Sequence, residues 1–456
     1  GHPALWYLLL RAGYAITGSP LVLPVLSIAI AAGAVYLLLR YSPFSWLQKI
    51  LIVLGVFPLF EYSVMVRNYG LGMLLLVVLA MTHAHRSRRP LMWGMLLALL
   101  ANTSPHAAII AVALLAGWSW EVILHLRSAA GPGAKRANVR RVALGATIAI
   151  AGLVAARLTV STQRLPDWNG PMPGAARVSY QMAVTATRPG QKLVGLLPSP
   201  FAALGNDNSQ LHQSTARVVA IDGFLLMMVI GWWGRWPLLI TGVTAVLGTS
   251  TLFRLIYGPS MRHLGLLWIL FLLIYWQVLQ VPEQSRHTAA RRRTFWALTL
   301  PLTIVMLLQA IEGIRRVRQD VTQSWSSSRA LGALLHRPEY RDAIVLSTSD
   351  YPLESIPYYA PNRLYFHDQG RFESHVHLRM PGSRDHSLLG AFTAVDSLAA
   401  TVQAPILMLV PDSTVVDASP IESTMLHDRA VEVATLTQAI GDESYHVYRV
   451  RPAAPP

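Results

Sequence analysis

Apolar runs and polar junctions alternate along most of the chain, at a spacing that suits membrane helices. A helix crossing about 30 Å of hydrocarbon needs roughly 20 apolar residues, fewer where its ends are semi-polar. Ten runs are candidate spans: 20–39, 46–63, 69–83, 91–102, 107–123, 142–160, 218–233, 237–253, 264–281 and 295–310. The fourth is short and suits a tilted or half-buried helix. Beyond residue 324 the pattern changes. Short strand-like runs at 342–349, 363–367, 405–411 and 445–450 are interspersed with helical ones at 327–336 and 391–402, the alternation of βα units. The pattern predicts a mostly α fold: a polytopic transmembrane helical bundle over 1–324, then an α/β domain over 325–456.

One junction stands apart. Phe57-Pro58-Leu59-Phe60-Glu61-Tyr62-Ser63-Val64-Met65-Val66-Arg67-Asn68-Tyr69-Gly70 sets an acid, an arginine and two tyrosines between the apolar runs 50–60 and 71–81. A charged pair between two membrane helices is expensive unless it meets water, a partner or a ligand. The plain alternative is that Arg67 snorkels to the headgroups with Glu61 as its local partner.

Composition supports the membrane reading. The chain is 53% hydrophobic and 13% charged, with a positive mean hydropathy, unlike an average soluble domain. It has no cysteine, which excludes disulfides, thiolate nucleophiles and cysteine metal sites. The net charge of +15 is unevenly spread. Residues 325–456 hold 15 acidic and 10 basic residues, net −5, while residues 1–324 hold 28 basic and 8 acidic, net +20. Arginines set between apolar runs point to the membrane. No basic strip interleaved with aromatics suggests nucleic acid.

Charge also predicts orientation. Arg86, Arg88 and Arg89 form one cluster, Arg127, Lys135, Arg136, Arg140 and Arg141 a second, and Arg286, Arg291, Arg292 and Arg293 a third. Counting helices puts all three on one side, and the positive-inside rule makes that side cytoplasmic. Arg67, His106, the loop 161–216, Arg262 and the C-terminal domain are then extracytoplasmic. Arg315, Arg316 and Arg318 are an exception that a long translocated domain tolerates. The loop is rich in Pro, Gly, Asn and Ser, and carries Asp167, Trp168, Arg188 and His212. A loop of that length is functional or disordered. Trp168 and Tyr180 fit interfacial anchors as well as substrate contacts.

Under this topology His2, Glu61, Arg67, Tyr69, His106, Tyr257, Arg262 and His263 all fall at external helix ends. Each has an ordinary explanation, as a snorkelling arginine, an interfacial tyrosine or a histidine satisfied by backbone. Their coincidence on one side, against nearly charge-free spans, favours a shared cavity. Arginine forks bind phosphate oxygens in pairs, and histidine or tyrosine can add hydrogen bonds. Such a cavity suits a lipid-linked sugar phosphate. No His/Asp/Glu spacing calls for a metal, and no cofactor motif is present.

The Glu61…Arg67-Asn68-Tyr69-Gly70 stretch resembles the segment after the third transmembrane helix of GT-C glycosyltransferases. The likeness is to bacterial relatives of protein mannosyltransferases and lipid A aminoarabinose transferases, a family-39-like group. Gly1-His2-Pro3-Ala4-Leu5-Trp6-Tyr7-Leu8-Leu9-Leu10 resembles the element closing that family's first external loop, and Tyr257-Gly258-Pro259-Ser260-Met261-Arg262-His263 is similar to an Arg-His pair before a late helix. The resemblance runs in order over about 1–318. It implies an enzyme of the bacterial inner membrane that moves a sugar, with inversion, from a polyprenyl-phosphate donor to a hydroxyl of a glycan, lipid or protein acceptor. It also implies a first-loop carboxylate as general base, expected upstream of Gly1, with positive side chains on the departing phosphate. The stretch Ser349-Asp350-Tyr351…Tyr358-Tyr359-Ala360…Tyr365 resembles external domains appended to some relatives, as an acceptor-binding or stabilising module. The rival readings are a transporter or flippase for a lipid-linked or anionic solute, and a non-catalytic envelope assembly or sensor protein.

Overall fold

A computed structural model describes residues 3–19, 21–128, 132–160, 174–197, 215–256, 258–280, 292–349, 351–374, 387–416, 418–440 and 443–452. The chain divides into two compact units, Gly1–Val317 and Arg318–Pro456.

The first unit is helical: α1 (Leu5–Thr17), α2 (Val22–Tyr41), α3 (Trp46–Val53), α4 (Tyr69–Thr82), α5 (Pro90–Ala101), α6 (Pro105–Ser128), α7 (Pro132–Thr159), α8 (Gly174–Thr187), α9 (Thr215–Trp232), α10 (Trp236–Leu255), α11 (Met261–Gln280) and α12 (Leu300–Thr322). Among the described residues, seven helices are long and apolar enough to cross a membrane. α4 and α5 are shorter apolar helices, so with the run 46–63, described below, three of the ten candidate spans do not form helices of that length. α11 is the axis of the bundle, with every residue from Leu264 to Val278 buried. Outer faces stay apolar and exposed, as at Val25 and Ile28 of α2 and Ile150, Val154 and Leu158 of α7. Large exposed apolar faces like these suit hydrocarbon rather than water.

Three departures from the sequence reading matter. The run 46–63 is not one helix. It breaks after α3, and a π-helical turn, Phe57–Glu61, follows. Pro58 has no N–H to give the Leu54 carbonyl, and α12 presses on the break: a Cβ on Gly313 would stand 2.1 Å from Leu54 O. Next, the N-terminal element read as part of an external loop contains α1, which buries Trp6 while Tyr7, Leu8, Tyr14 and Ile16 remain exposed.

Finally, the loop 161–216 is largely structured where it is described. It holds α8 and two 3-10 turns, Pro189–Lys192 and Val194–Leu196, that sink into the bundle. Leu193 and Leu196 are fully buried. Side chains from neighbouring helices tie this segment down. The Gly190 N–H donates to Asp222 Oδ1 at 2.9 Å, Ser250 Oγ to Pro189 O at 2.9 Å and Gln309 Nε2 to Leu196 O at 3.0 Å. Arg254 gives Nη2 to Arg188 O at 2.9 Å and to Gln191 Oε1 at 2.8 Å. Irregular backbone amid membrane helices needs such partners. Asp167, Trp168 and His212 lie outside the described residues, while Tyr180 is exposed.

The second unit is a six-stranded mixed sheet in the order β3-β2-β1-β4-β6-β5: β1 (Ile344–Ser347), β2 (Leu364–Phe366), β3 (Arg371–Glu373), β4 (Ile406–Pro411), β5 (Ala430–Leu436) and β6 (Tyr445–Val450). β1 is parallel to β2 and β4; β2–β3, β4–β6 and β5–β6 are antiparallel. Alternate residues face opposite sides. Val345, Leu407 and Leu409 pack with Leu331 and Leu335 of α13 (Ser328–Leu335). Ile344, Leu346, Met408 and Val410 pack with Phe392 and Val395 of α14 (Leu388–Ala399). β3, β5, α15 (Asp412–Val416) and α16 (Pro420–Arg429) are additions to the sequence reading. β5 is an edge strand that follows α16 without a turn residue, so no punctuation marked it.

Candidate functional site

The polar stretch after the π turn is held at both ends. Tyr62, 1% exposed, donates its hydroxyl to Arg262 O at 2.8 Å. Asn68, 4% exposed, donates Nδ2 to Thr103 O at 2.5 Å. Ser27 Oγ adds a bond to Ser63 O at 3.2 Å. Between these anchors Arg67 is exposed and Glu61 half-buried.

Three helices begin here. α4 starts at Tyr69. α6 starts at Pro105, a residue suited to the first helical turn, behind buried Thr103 and Ser104, with the Ala107 N–H donating to Ser104 Oγ at 3.1 Å. α11 starts at Met261. Each helix start brings the positive end of its dipole to this cluster.

The aromatic residues among the candidates meet at this end. Tyr62 stacks on Tyr69 at 5.7 Å between centroids. Tyr69 lies 6.2 Å from His106 and 5.9 Å from His263. The two imidazoles stack at 4.7 Å and 14°, with Phe253 of α10 at 5.5 Å and 6.1 Å. The Ser260 N–H and hydroxyl both face His263 Nδ1, at 3.2 and 3.1 Å.

The charged candidates lie within electrostatic reach of one another. Glu61 stands in the field of Arg316, Arg262 and Arg67, opposed by Glu312. Arg67 feels Arg262, Tyr69 and Glu61 in turn. Arg262 Nε is buried and has no hydrogen-bond partner among the described residues. Six of the eight sequence candidates, Glu61, Arg67, Tyr69, His106, Arg262 and His263, are therefore at one end of the bundle. His2 and Tyr257 lie outside the described residues.

The structure adds Glu312 and Arg316, which sequence reasoning did not bring to the site. Buried Glu312 accepts from Arg315 Nε at 2.8 Å and Nη2 at 2.5 Å, and from Arg316 Nε at 3.0 Å. The signal was available: an acid three and four residues before two arginines on an apolar helix. Among the described residues no group of three His, Asp or Glu could hold a metal.

The fold and this cluster define a multi-pass membrane protein that carries a small mixed α/β unit. Comparison with protein-family models, curated proteins and solved structures finds no match to this chain. The GT-C resemblance therefore stands on the quoted motifs alone.

Proposed function

We propose that this end of the bundle binds the phosphate of a lipid-linked sugar, and that the chain is an inverting glycosyltransferase of the GT-C type. One observation carries the binding half: four arginines, Arg67, Arg262, Arg315 and Arg316, outnumber the two carboxylates of this cluster, Glu61 and Glu312, where three helix starts converge. That surplus of positive charge at the edge of an apolar bundle matches an anionic headgroup on a hydrocarbon tail. The transfer half rests on the sequence resemblance. In that chemistry the bond from the anomeric carbon to the donor phosphate breaks, and the acceptor oxygen bonds the same carbon from the opposite face. The acceptor's proton passes to a carboxylate, while the arginines stabilise the departing lipid phosphate. Glu61, ringed by cations, serves to position them. The resemblance puts the general base in the first-loop segment ahead of His2-Pro3.

The test is reconstitution of the full-length protein in liposomes with a polyprenyl-phosphate hexose and a hydroxyl acceptor. The proposal expects release of polyprenyl phosphate that depends on acceptor. The break at Phe57–Glu61 and the sunken segment around Leu196 favour a second reading, since interrupted helices are a transporter feature. In the same liposomes a flippase would move the donor between leaflets and leave its sugar attached. That result would replace the enzyme reading.

A further inference from the structure

Near its C-terminal end α12 carries two adjacent arginines around one acid, and the two are bonded differently. The buried stripe of α12 runs through Leu302, Met306, Gln309 and Gly313. Arg316 is the next position at that spacing, so it continues the stripe by one helical turn. A Cβ on Gly313 would stand 2.1 Å from Leu54 O and 2.9 Å from Val56 N. This stripe is therefore seated directly on the break that precedes the Glu61 turn.

Glu312 is 6% exposed and takes three hydrogen bonds. Arg315 gives it Nε at 2.8 Å and Nη2 at 2.5 Å, a paired fork that uses one whole edge of the guanidinium. Arg316 gives Nε alone, at 3.0 Å. Its two terminal amino groups make no hydrogen bond among the described residues. Arg316 is nonetheless the more enclosed of the pair, its side chain 16% exposed against 30% for Arg315. Among the charges acting on Glu61 it exerts the largest attraction.

One arginine is spent and the other is presented. A guanidinium carries five N–H groups. With Nε fixed on a buried carboxylate, the Nη edge of Arg316 can engage two oxygens of one phosphate. The side-chain freedom it would lose on binding is already reduced. Glu312 offsets the charge of Arg315 through the fork and leaves that of Arg316 uncompensated.

We infer that Arg316 is a direct ligand of the donor phosphate and that Glu312 is its positioning residue, while Arg315 serves Glu312 alone. These roles rest on the reading of this end of the bundle as a phosphate site.

The test is equilibrium binding of polyprenyl phosphate to the purified full-length protein in neutral detergent, with uncharged polyprenol as the reference. Arg316→Lys should weaken polyprenyl phosphate by about tenfold, the effect of one charge-assisted hydrogen bond, and leave polyprenol unchanged. Arg315→Lys, which keeps a cation on Glu312, should bind as wild type. Glu312→Asp separates position from charge, because it keeps the anion and draws it back by one methylene. It should weaken polyprenyl phosphate by about tenfold, and by nothing further in the Arg316→Gln background. A merely structural Glu312 would weaken both backgrounds alike, which would overturn its positioning role. Should Glu312→Asp fail to fold, the two lysine variants decide alone. Equal affinities of Arg315→Lys and Arg316→Lys overturn the inference. Wild-type protein that binds polyprenol as well as polyprenyl phosphate would refute the phosphate site itself. A wild-type preference for the phosphate that Arg316→Lys leaves intact would refute the role of Arg316 and spare the site.

Discussion

Arg67 is exposed at the mouth of its cluster, and its replacement separates two physical roles. A snorkelling arginine is replaceable by lysine, which also reaches the headgroups. A planar fork on phosphate is not, because lysine keeps the charge and loses the paired geometry. Arg67→Lys should lower transfer by about ten- to hundredfold, since a charge-assisted hydrogen bond contributes about 1.5–3 kcal/mol. Arg262→Lys should behave alike, and the double variant should be non-additive if both hold one phosphate. Full turnover of Arg67→Lys at matched expression would return Arg67 to headgroup snorkelling. Six of the eight sequence candidates were legible because helix-end polarity is written in the order of residues. Arg316 and Glu312 were not, because their relation to Glu61 is made by α12 packing across the break at Leu54.

His446 carries a different residue-scale prediction, in the second unit. Its Nδ1 contacts Glu432 Oε1 at 2.8 Å and its Nε2 contacts Asp412 Oδ1 at 3.2 Å. Partial burial works to lower its pKa, but hydrogen bonds to the two carboxylates raise it above the ordinary histidine value. Glu432 is held low, first by the Thr435 hydroxyl and then by His446. The histidine contribution is therefore complete below pH of about 6.5 and fades as pH rises through the folded value. The glutamate contribution fades in acid as its carboxylate protonates. Hydrogen exchange of β5, corrected for intrinsic rate and referenced to β1, should lose protection above pH of about 6.5. The loss should be on the order of 0.2–1 kcal/mol, the range of partly exposed pairs. His446→Asn should flatten that dependence. An unaltered pH profile in the variant would remove His446 as its source.

At the scale of elements, hydropathy read where apolar chain exists but not where it is interrupted. Residues 46–63 look like one span, yet the missing N–H of Pro58 and the close approach of Gly313 turn it into α3 and a π turn. The buried segment around Leu196 was equally hidden. Its partners Asp222, Ser250, Arg254 and Gln309 come from three other helices, and no local pattern announces them. Two glycines test this packing. Gly313→Ala puts a methyl against Leu54 O and Val56 N, both backbone atoms that cannot swing away. It should destabilise the first unit by about 1–3 kcal/mol, the usual cost of overpacking, and reduce activity by shifting the Glu61 turn. Gly223→Ala on α9 meets nothing within 4 Å and should be neutral, or stabilising by up to about 1 kcal/mol. Thermal unfolding of the two variants side by side decides the matter. Equal behaviour would mean that the α12 contact does not hold the break.

The helical unit has two polar ends, both carrying arginines, and its orientation decides where the Glu61 cluster works. Arg86 and Arg293 mark one end, the latter donating Nη2 to Trp233 O at 2.9 Å at the α9–α10 junction. Glu61, His106 and Arg262 mark the other. α12 begins on the Arg293 side and brings Glu312 and Arg316 to the Glu61 side, so the positive-inside rule, applied to the loop arginines near Arg86 and Arg293, predicts a cytoplasmic Arg86–Arg293 end and an extracytoplasmic second unit. The chain has no cysteine, so single thiols report cleanly. Ser423 on α16 and Ser87 beside Arg86 are both exposed. In intact spheroplasts a membrane-impermeant maleimide should label Ser423→Cys and leave Ser87→Cys untouched until the cells are opened. The reverse pattern would turn the bundle over and put the cluster on the cytoplasmic face. A donor presented on the outer face could then no longer be its ligand, and the glycosyl-transfer proposal would fall with the topology.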